Sequence, residues 1–132
     1  RIFEDLSNAY VKTNEYLNRL EFLANKYNKP VIIDKFNYPR DRSRRIPLTT
    51  TRSRDGFYTY MLDKLVHSSQ QHSYIGGTFM YTWGGWHIPI DYRKTNLLFL
   101  LQNEKDLNPY NVCSSDSSTL QIIANGIKAL QK

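Results

Sequence analysis

Cysteine is nearly missing: Cys113 is the only one in 132 residues, so no disulfide can form within the chain. Its absence leaves the redox compartment open, since a chain without a disulfide fits either setting. Also lacking is any run near the roughly 18 apolar residues of a membrane-spanning helix. No membrane partner is therefore expected. Metal chemistry lacks its usual signature as well. His67, His72 and His87 stand at no ligand spacing, and Cys113 has no CxxC companion, so neither a metal nor a cofactor is expected. Gly84 and Gly85 lie in no Gly-x-x-x-x-Gly-Lys pattern, which removes a phosphate loop. The sequence opens on Arg1 with no leader-like segment, a fact that decides nothing about the compartment.

Positive charge and aromatic rings are what the chain has in quantity. Lys and Arg number 18 against 12 Asp and Glu, a formal net charge of +6. Arg40, Arg42, Arg44, Arg45, Arg52 and Arg54 gather in one short stretch beside Asp41 and Asp55. A solvated loop is the ordinary reading of such a run, and a footprint for an acidic polymer is the alternative. A nucleic-acid partner is not expected. Aromatics make up 14% of the residues, including 10 Tyr, and planar rings with polar edges suit sugar faces as well as cores. With 40% apolar content, residues 1–132 suffice for a single domain or part of one.

Hydrophobic spacing sets the order of elements. Phe3, Leu6, Tyr10, Leu17, Leu20, Ala24 and Tyr27 recur at three, four and seven, one face of an amphipathic helix that Asn28-Lys29-Pro30 stops. Val31, Ile32 and Ile33 are too few and too β-branched to continue it and predict a strand buried on both faces. An open loop over residues 40–54 follows. Ser53 or Asp55 caps the next helix, whose face is Phe57, Tyr60, Met61, Leu65 and Ser68. Gly76-Gly77 then releases a second strand over residues 78–85. The chain runs irregularly past Pro89 and Pro109, with a short apolar patch at residues 97–101. The last helix starts near Ser117 or Ser118 and carries Leu120, Ile123, Ile127 and Leu130, with Lys128 and Lys132 near its negative end.

Helix, strand, helix, strand, long loop, helix describes an α/β chain built of consecutive βα units. A closed (β/α)8 TIM barrel needs about 250 residues, so this length supplies only its last two βα units and is incomplete on its own. Two parallel strands leave two sheet edges to be covered, by a missing amino-terminal portion or by another chain. Both strands climb from an apolar run to a polar or aromatic tip, at the end where βα folds carry their sites.

Those tips resemble glycoside hydrolase family 5, in particular its β-mannanase-like members. The family's seventh strand typically reads Lys-Pro, three apolar residues, then Glu-Glu-Phe-Gly-Tyr-Pro-Arg-Asp. Residues 29–41 keep Lys29-Pro30, the apolar triplet, Phe36 and Tyr38-Pro39-Arg40-Asp41. The eighth strand commonly ends Phe-Trp-Ala-Trp-Gly-Gly, matched by Met80-Tyr81-Thr82-Trp83-Gly84-Gly85. Thr49-Thr50-Thr51-Arg52 and the Ser115-Asp116-Ser117-Ser118-Thr119 run also resemble family segments.

The resemblance implies a retaining hydrolase acting on β-1,4-mannosidic or related bonds, in a secreted or extracytoplasmic setting, with a β-linked oligo- or polysaccharide as partner. It places the nucleophilic Glu of the family at Lys35. An ammonium cannot form a glycosyl ester and would repel the positive charge that develops on the sugar. Asp34 is a poor substitute: strand alternation sends it to the opposite face, and its side chain is one methylene shorter. The family's acid/base Glu lies on a strand upstream of these residues. Catalysis by this chain alone is therefore not expected. The same resemblance assigns substrate contacts to Tyr81, Trp83, Trp86 and Tyr38. A non-catalytic half-barrel that pairs through its exposed sheet edges is the competing expectation.

Overall fold

The computed structural model describes residues 6–41, 50–86 and 108–131. In chain order they form α1 (Leu6–Tyr27), β1 (Val31–Phe36), α2 (Arg52–Gln70), β2 (Ile75–Met80), β3 (Trp83–Gly85), β4 (Val112–Cys113) and α3 (Ser117–Leu130). The expected apolar patch at residues 97–101, with Phe3, His87, Pro89 and Lys132, lies outside the described residues. No helix among the described residues is long and apolar enough to cross a membrane.

The first helix ends where the sequence predicts. Asn28 takes a left-handed conformation, φ 49°, which Asn tolerates better than most residues. It lets the Lys29 amide donate back to the Ala24 carbonyl at 3.0 Å, so the last turn is closed as Pro30 leads away. Leu17 and Ala24 are the buried residues of α1, whereas Tyr27, on the expected apolar face, is exposed. Val31 then pairs with Ile75 as β1 and β2 lie parallel in a two-stranded sheet.

One face of this sheet is covered and the other is open. Ile33 and Phe36 are buried under α1 and α2, while Ile32 is 61% exposed. The expectation of a strand buried on both faces is thus half met, because no described element lies over the side that a closed barrel would fill. The glycine expectation is also corrected: Gly76 and Gly77 lie inside β2 rather than before it. Residues 81 and 82 then divide the expected second strand, leaving β3 to pair parallel with β4 in a sheet of its own.

The stripe on α2 is the centre of the core. Phe57, Tyr58, Met61, Leu62 and Leu65 are buried, each stabilising the fold by roughly 1.5–3 kcal/mol relative to exposure. On one flank Tyr10 of α1 meets Tyr60 at 4.6 Å between ring centroids. On the other, α3 approaches so closely that a Cβ on Gly126 would sit 2.9 Å from Leu62 Cδ1.

The arginine stretch is not a uniform solvated loop. Arg54 is 0% exposed and Arg40 is buried, and both guanidinium groups converge on Asp116. Arg54 Nη1 donates to Asp116 Oδ2 at 3.0 Å, its Nε to the Tyr38 carbonyl at 3.0 Å, and its Nη2 to the Pro109 carbonyl at 2.5 Å. Arg40 donates to the second Asp116 oxygen. Arg42, Arg44 and Arg45 lie outside the described residues, so the acidic-polymer footprint loses at least two of its six cations to the interior.

Neither Ser53 nor Asp55 is the cap of α2. Thr51 precedes the helix, and Asp41 across the loop accepts from the Arg52 and Ser53 amides at 3.0 and 2.9 Å. Asp55 instead ties two helix starts together, accepting from Ser118 Oγ at 2.6 Å and Thr119 Oγ1 at 2.5 Å. Partial burial alone would raise the Asp41 carboxyl, but hydrogen bonds from Ser53, Thr50 and the Arg52 amide outweigh it and hold it below its ordinary 3.8.

Two stability tests follow from these contacts. Asp116→Asn leaves two buried guanidinium groups without a carboxylate and is expected to cost about 3–5 kcal/mol. Urea unfolding followed by circular dichroism measures it, and a loss below about 1 kcal/mol would remove the pairs from the structural account. Asp41→Asn is expected to cost about 1 kcal/mol near neutral pH, the usual worth of a helix cap. Because the folded carboxyl is depressed, its contribution is complete above 3.8 and is lost as pH falls through the lower folded value. Urea midpoints of the variant should accordingly fall less steeply than those of the parent in that acid range.

Candidate functional site

The carboxyl ends of β1 and β2 meet in one tip. The Tyr81 amide donates to the Phe36 carbonyl at 3.2 Å, which fixes the exit of β2 against the exit of β1. Phe36 is held from below by Tyr58 at 5.0 Å and Phe57 at 6.4 Å between centroids. With Phe36 anchored, the residue before it is presented outward.

That residue is Lys35. The sheet register shifts between Ile33 and Phe36, so two residues three apart both turn inward and Asp34 and Lys35 are both exposed. Strict alternation of Asp34 away from Lys35, expected from the sequence, does not hold across this irregularity. Lys35 Nζ lies 5.4 Å from the centroid of the Tyr81 ring, a cation–π contact. Asp34 makes no ion pair; among the described residues both pairs end on Asp116.

Two of the three tip aromatics form a pair. Trp83 and Trp86 meet edge to face, with centroids 5.6 Å apart and planes at 79°. Tyr81 is 48% exposed, Trp83 52% and Trp86 87%. Exposed indole and phenol faces at a strand end offer flat apolar area with polar edges, which is what a pyranose ring stacks on.

Tyr38 is placed differently from the other three. Its side chain is only 5% exposed and stacks on Phe57 at 4.9 Å, while its carbonyl accepts from Arg54. It supports the tip from inside, and the expectation of a sugar contact is corrected for this residue. The physical reason is the chain's turn after Phe36, which carries Tyr38 back over the α2 stripe.

Asn37, where the resembled motif has Gly, has no left-handed backbone. Its carboxamide accepts from the Tyr38 amide at 2.7 Å and from Tyr58 Oη at 3.2 Å, and donates to the Tyr110 carbonyl at 3.0 Å. Burial raises the Tyr58 phenol to about 12, so the hydroxyl stays a donor. Tyr110, which no motif touches, is thereby held at the same end of the fold with its ring partly exposed.

The segment under the tryptophans depends on a glycine. The Val112 amide donates to the Thr82 carbonyl at 2.9 Å and the Ser114 amide to the Gly85 carbonyl at 3.0 Å, seating β3 on β4. A Cβ on Gly84 would sit 2.9 Å from both Asn111 Cβ and Cys113 Sγ, with no room for either to give way. Cys113 is fixed in turn, since its amide donates to Asp116 Oδ2 at 3.0 Å. The buried ion pairs and the aromatic tip are thus one connected structure.

An open α/β layer with an aromatic and polar strand-end tip defines a piece of a βα barrel. Residues 1–132 match the family model for glycoside hydrolase family 5 beta-mannosidase-like proteins, and the chain belongs to that family. Its fold is similar to the crystal structure of a glycoside hydrolase family 5 mannosidase from Rhizomucor miehei, with a TM-score of 0.71 and 22% identity. A mutant of that mannosidase in complex with mannosyl-fructose gives the same TM-score at 21% identity. Each likeness covers 98% of this chain and 34% of the other. The chain thus spans about a third of the length of these structures, a partial TIM barrel with no closed barrel among the described residues. No curated protein matches the chain.

Both tryptophans of the chain lie at this tip, so indole emission reports on it alone. Gly84→Ala is expected to push β3 off β4, costing about 1–3 kcal/mol as an overpacked contact. The emission maximum should shift relative to the parent while far-ultraviolet circular dichroism remains unchanged. An unmoved emission spectrum would mean that β4 does not seat the tryptophans.

Proposed function

We infer that this chain is the carboxyl-terminal part of a β-mannoside-directed glycosidase barrel, one that binds oligosaccharide without cleaving it. The observation that carries this reading is the tip itself: Tyr81, Trp83 and Trp86 are exposed, and the Tyr81 ring lies 5.4 Å from the ammonium of Lys35, where the resembled motif has its nucleophilic carboxylate. A retaining hydrolase needs two carboxyl groups about 5–5.5 Å apart across the scissile bond. Lys35 supplies none, and Asp34, though exposed, has a side chain one methylene shorter than the Glu of the resembled motif. Stacking faces need no such pair, so recognition outlives chemistry at a site of this kind. The mannosyl-fructose bound by a Rhizomucor miehei mannosidase mutant is the same class of ligand, a mannosyl glycoside. An extracytoplasmic setting, where polymeric glycans are met, goes with this reading.

A second reading has its own observation. Ile32 and Phe79 are 61% and 62% exposed on adjacent strands, and a groove of about 690 Å³ lies along β2 between α2 and α3, lined by Leu62, Leu65, Ile75, Ile127 and Leu130. Such a surface suits a half-barrel that pairs with another chain. Light scattering tests pairing with a second copy of the chain, which requires a dimer or larger species.

Calorimetric titration with mannohexaose and cellohexaose, beside a reducing-sugar assay, tests the leading reading. Heat of binding with no release of reducing ends is expected from the chain as it stands, and Lys35→Glu should not start hydrolysis because the acid/base carboxyl is still missing. Reducing ends released by the unaltered chain would refute the non-catalytic assignment. Absence of binding heat from a folded chain would refute the sugar site.

A further inference from the structure

Charge decides which sugar the tip fits. We propose that the tip prefers a β-1,4-linked oligosaccharide bearing an anionic substituent, with Lys35 as the group that recognises the negative charge. This rests on the glycan-binding reading above and narrows it to a class of ligand.

Three features of the tip support the inference. Lys35 is exposed, and no carboxylate among the described residues pairs with it; its ammonium lies over the Tyr81 ring, which accepts a cation without neutralising it. The Tyr81 ring, 48% exposed, lies beside that charge with its centroid 5.4 Å from Lys35 Nζ, so a sugar laid on this ring brings its substituents to Lys35. Lys35 also borders a groove of about 330 Å³ beside α1, lined by Lys12, Thr13, Tyr16 and Asn37 among others, with two lysines and no carboxylate.

The net charge of +6 adds a field of the same sign. Asp34 follows Ile33 in the same exposed turn of the strand but forms no ion pair with its neighbour. A neutral mannan chain would leave this ammonium with no anionic partner among the described residues beside the Tyr81 ring. A carboxylate or sulfate on the sugar would give it a charge-assisted hydrogen bond.

Two matched ligands isolate the effect. Hexamannuronate differs from mannohexaose in having a carboxylate at C6 of each sugar, and 6-O-sulfated mannohexaose carries sulfate there instead. Titration of the full chain at low ionic strength is expected to give at least one anionic ligand about fivefold tighter binding than mannohexaose, the upper end for an exposed ion pair. Which of the two wins identifies the anionic group.

The preference should shrink in about 0.5 M salt, where charges are screened within a few ångströms. It should also vanish in Lys35→Met, whose exposed site tolerates the change. Equal affinity for neutral and anionic ligands, or a preference that survives Lys35→Met, overturns the inference while leaving glycan binding in place. Silence with all three ligands, from a chain shown to be folded by thermal unfolding, overturns both.

Discussion

One carboxylate organises this fold. Asp116 receives Arg40 on one oxygen, and Arg54 and the Cys113 amide on the other, in a place where water does not reach. Two guanidinium groups on one carboxylate leave an excess positive charge, which the Tyr38 and Pro109 carbonyls partly satisfy. Burial first, then the neighbouring Arg40 charge, pulls the Arg54 guanidinium below its ordinary value, with Asp116 opposing. Through these bonds the exit of β1, the start of α2, the approach to β4 and the start of α3 are joined at one point. Removing Asp116 strands two charges in the interior, so the four segments are joined through this one carboxylate.

The tip inherits its geometry from that junction. Cys113 is fixed by Asp116, β4 carries Cys113, and β3 with Trp83 rests on β4 through Gly84. On the other side Phe36 is locked under Tyr58, and Tyr81 is hydrogen-bonded to Phe36. Aromatic rings that are about half or more exposed are thus carried on a backbone tied by hydrogen bonds to both sides of the tip. The family's fold is kept here around a tip that departs from the resembled pattern in charge at Lys35 and in shape at Asn37 and Tyr81.

The helices were legible because their apolar residues recur with a 3.6-residue period, although the expected stripe of α3 is not buried along its length: Leu120 and Ile123 are partly buried, while Ile127 and Leu130 are exposed. Leu17, Phe57, Met61 and Leu65 all fall on the expected faces. The same α2 stripe, extended back one turn from Tyr58, reaches Arg54, so its burial had a signal in the spacing that the charge concealed. The strands were less legible. A bulge between Ile33 and Phe36 breaks alternation, and hydrogen bonding, not composition, ends β2 at Met80 and starts β3 at Trp83. Asp41 as the cap of α2 was hidden because its amide partners are 11 and 12 residues away along the chain.

By itself the sequence determined the order of elements, the α/β character, the family likeness at two strand tips, and the presence of Lys35 and three aromatics there. Each of these is local, fixed by a run of residues and their period. Only the tertiary structure decided that Tyr38 faces inward while Trp86 faces out, that Asn37 bridges Tyr58 to the Tyr110 strand approach, and that two of six clustered arginines are interior. Those outcomes depend on contacts between residues as far apart as Arg40 and Asp116, 76 positions along the chain. No periodicity carries that information, because a buried charge is stable only when the fold delivers its partner.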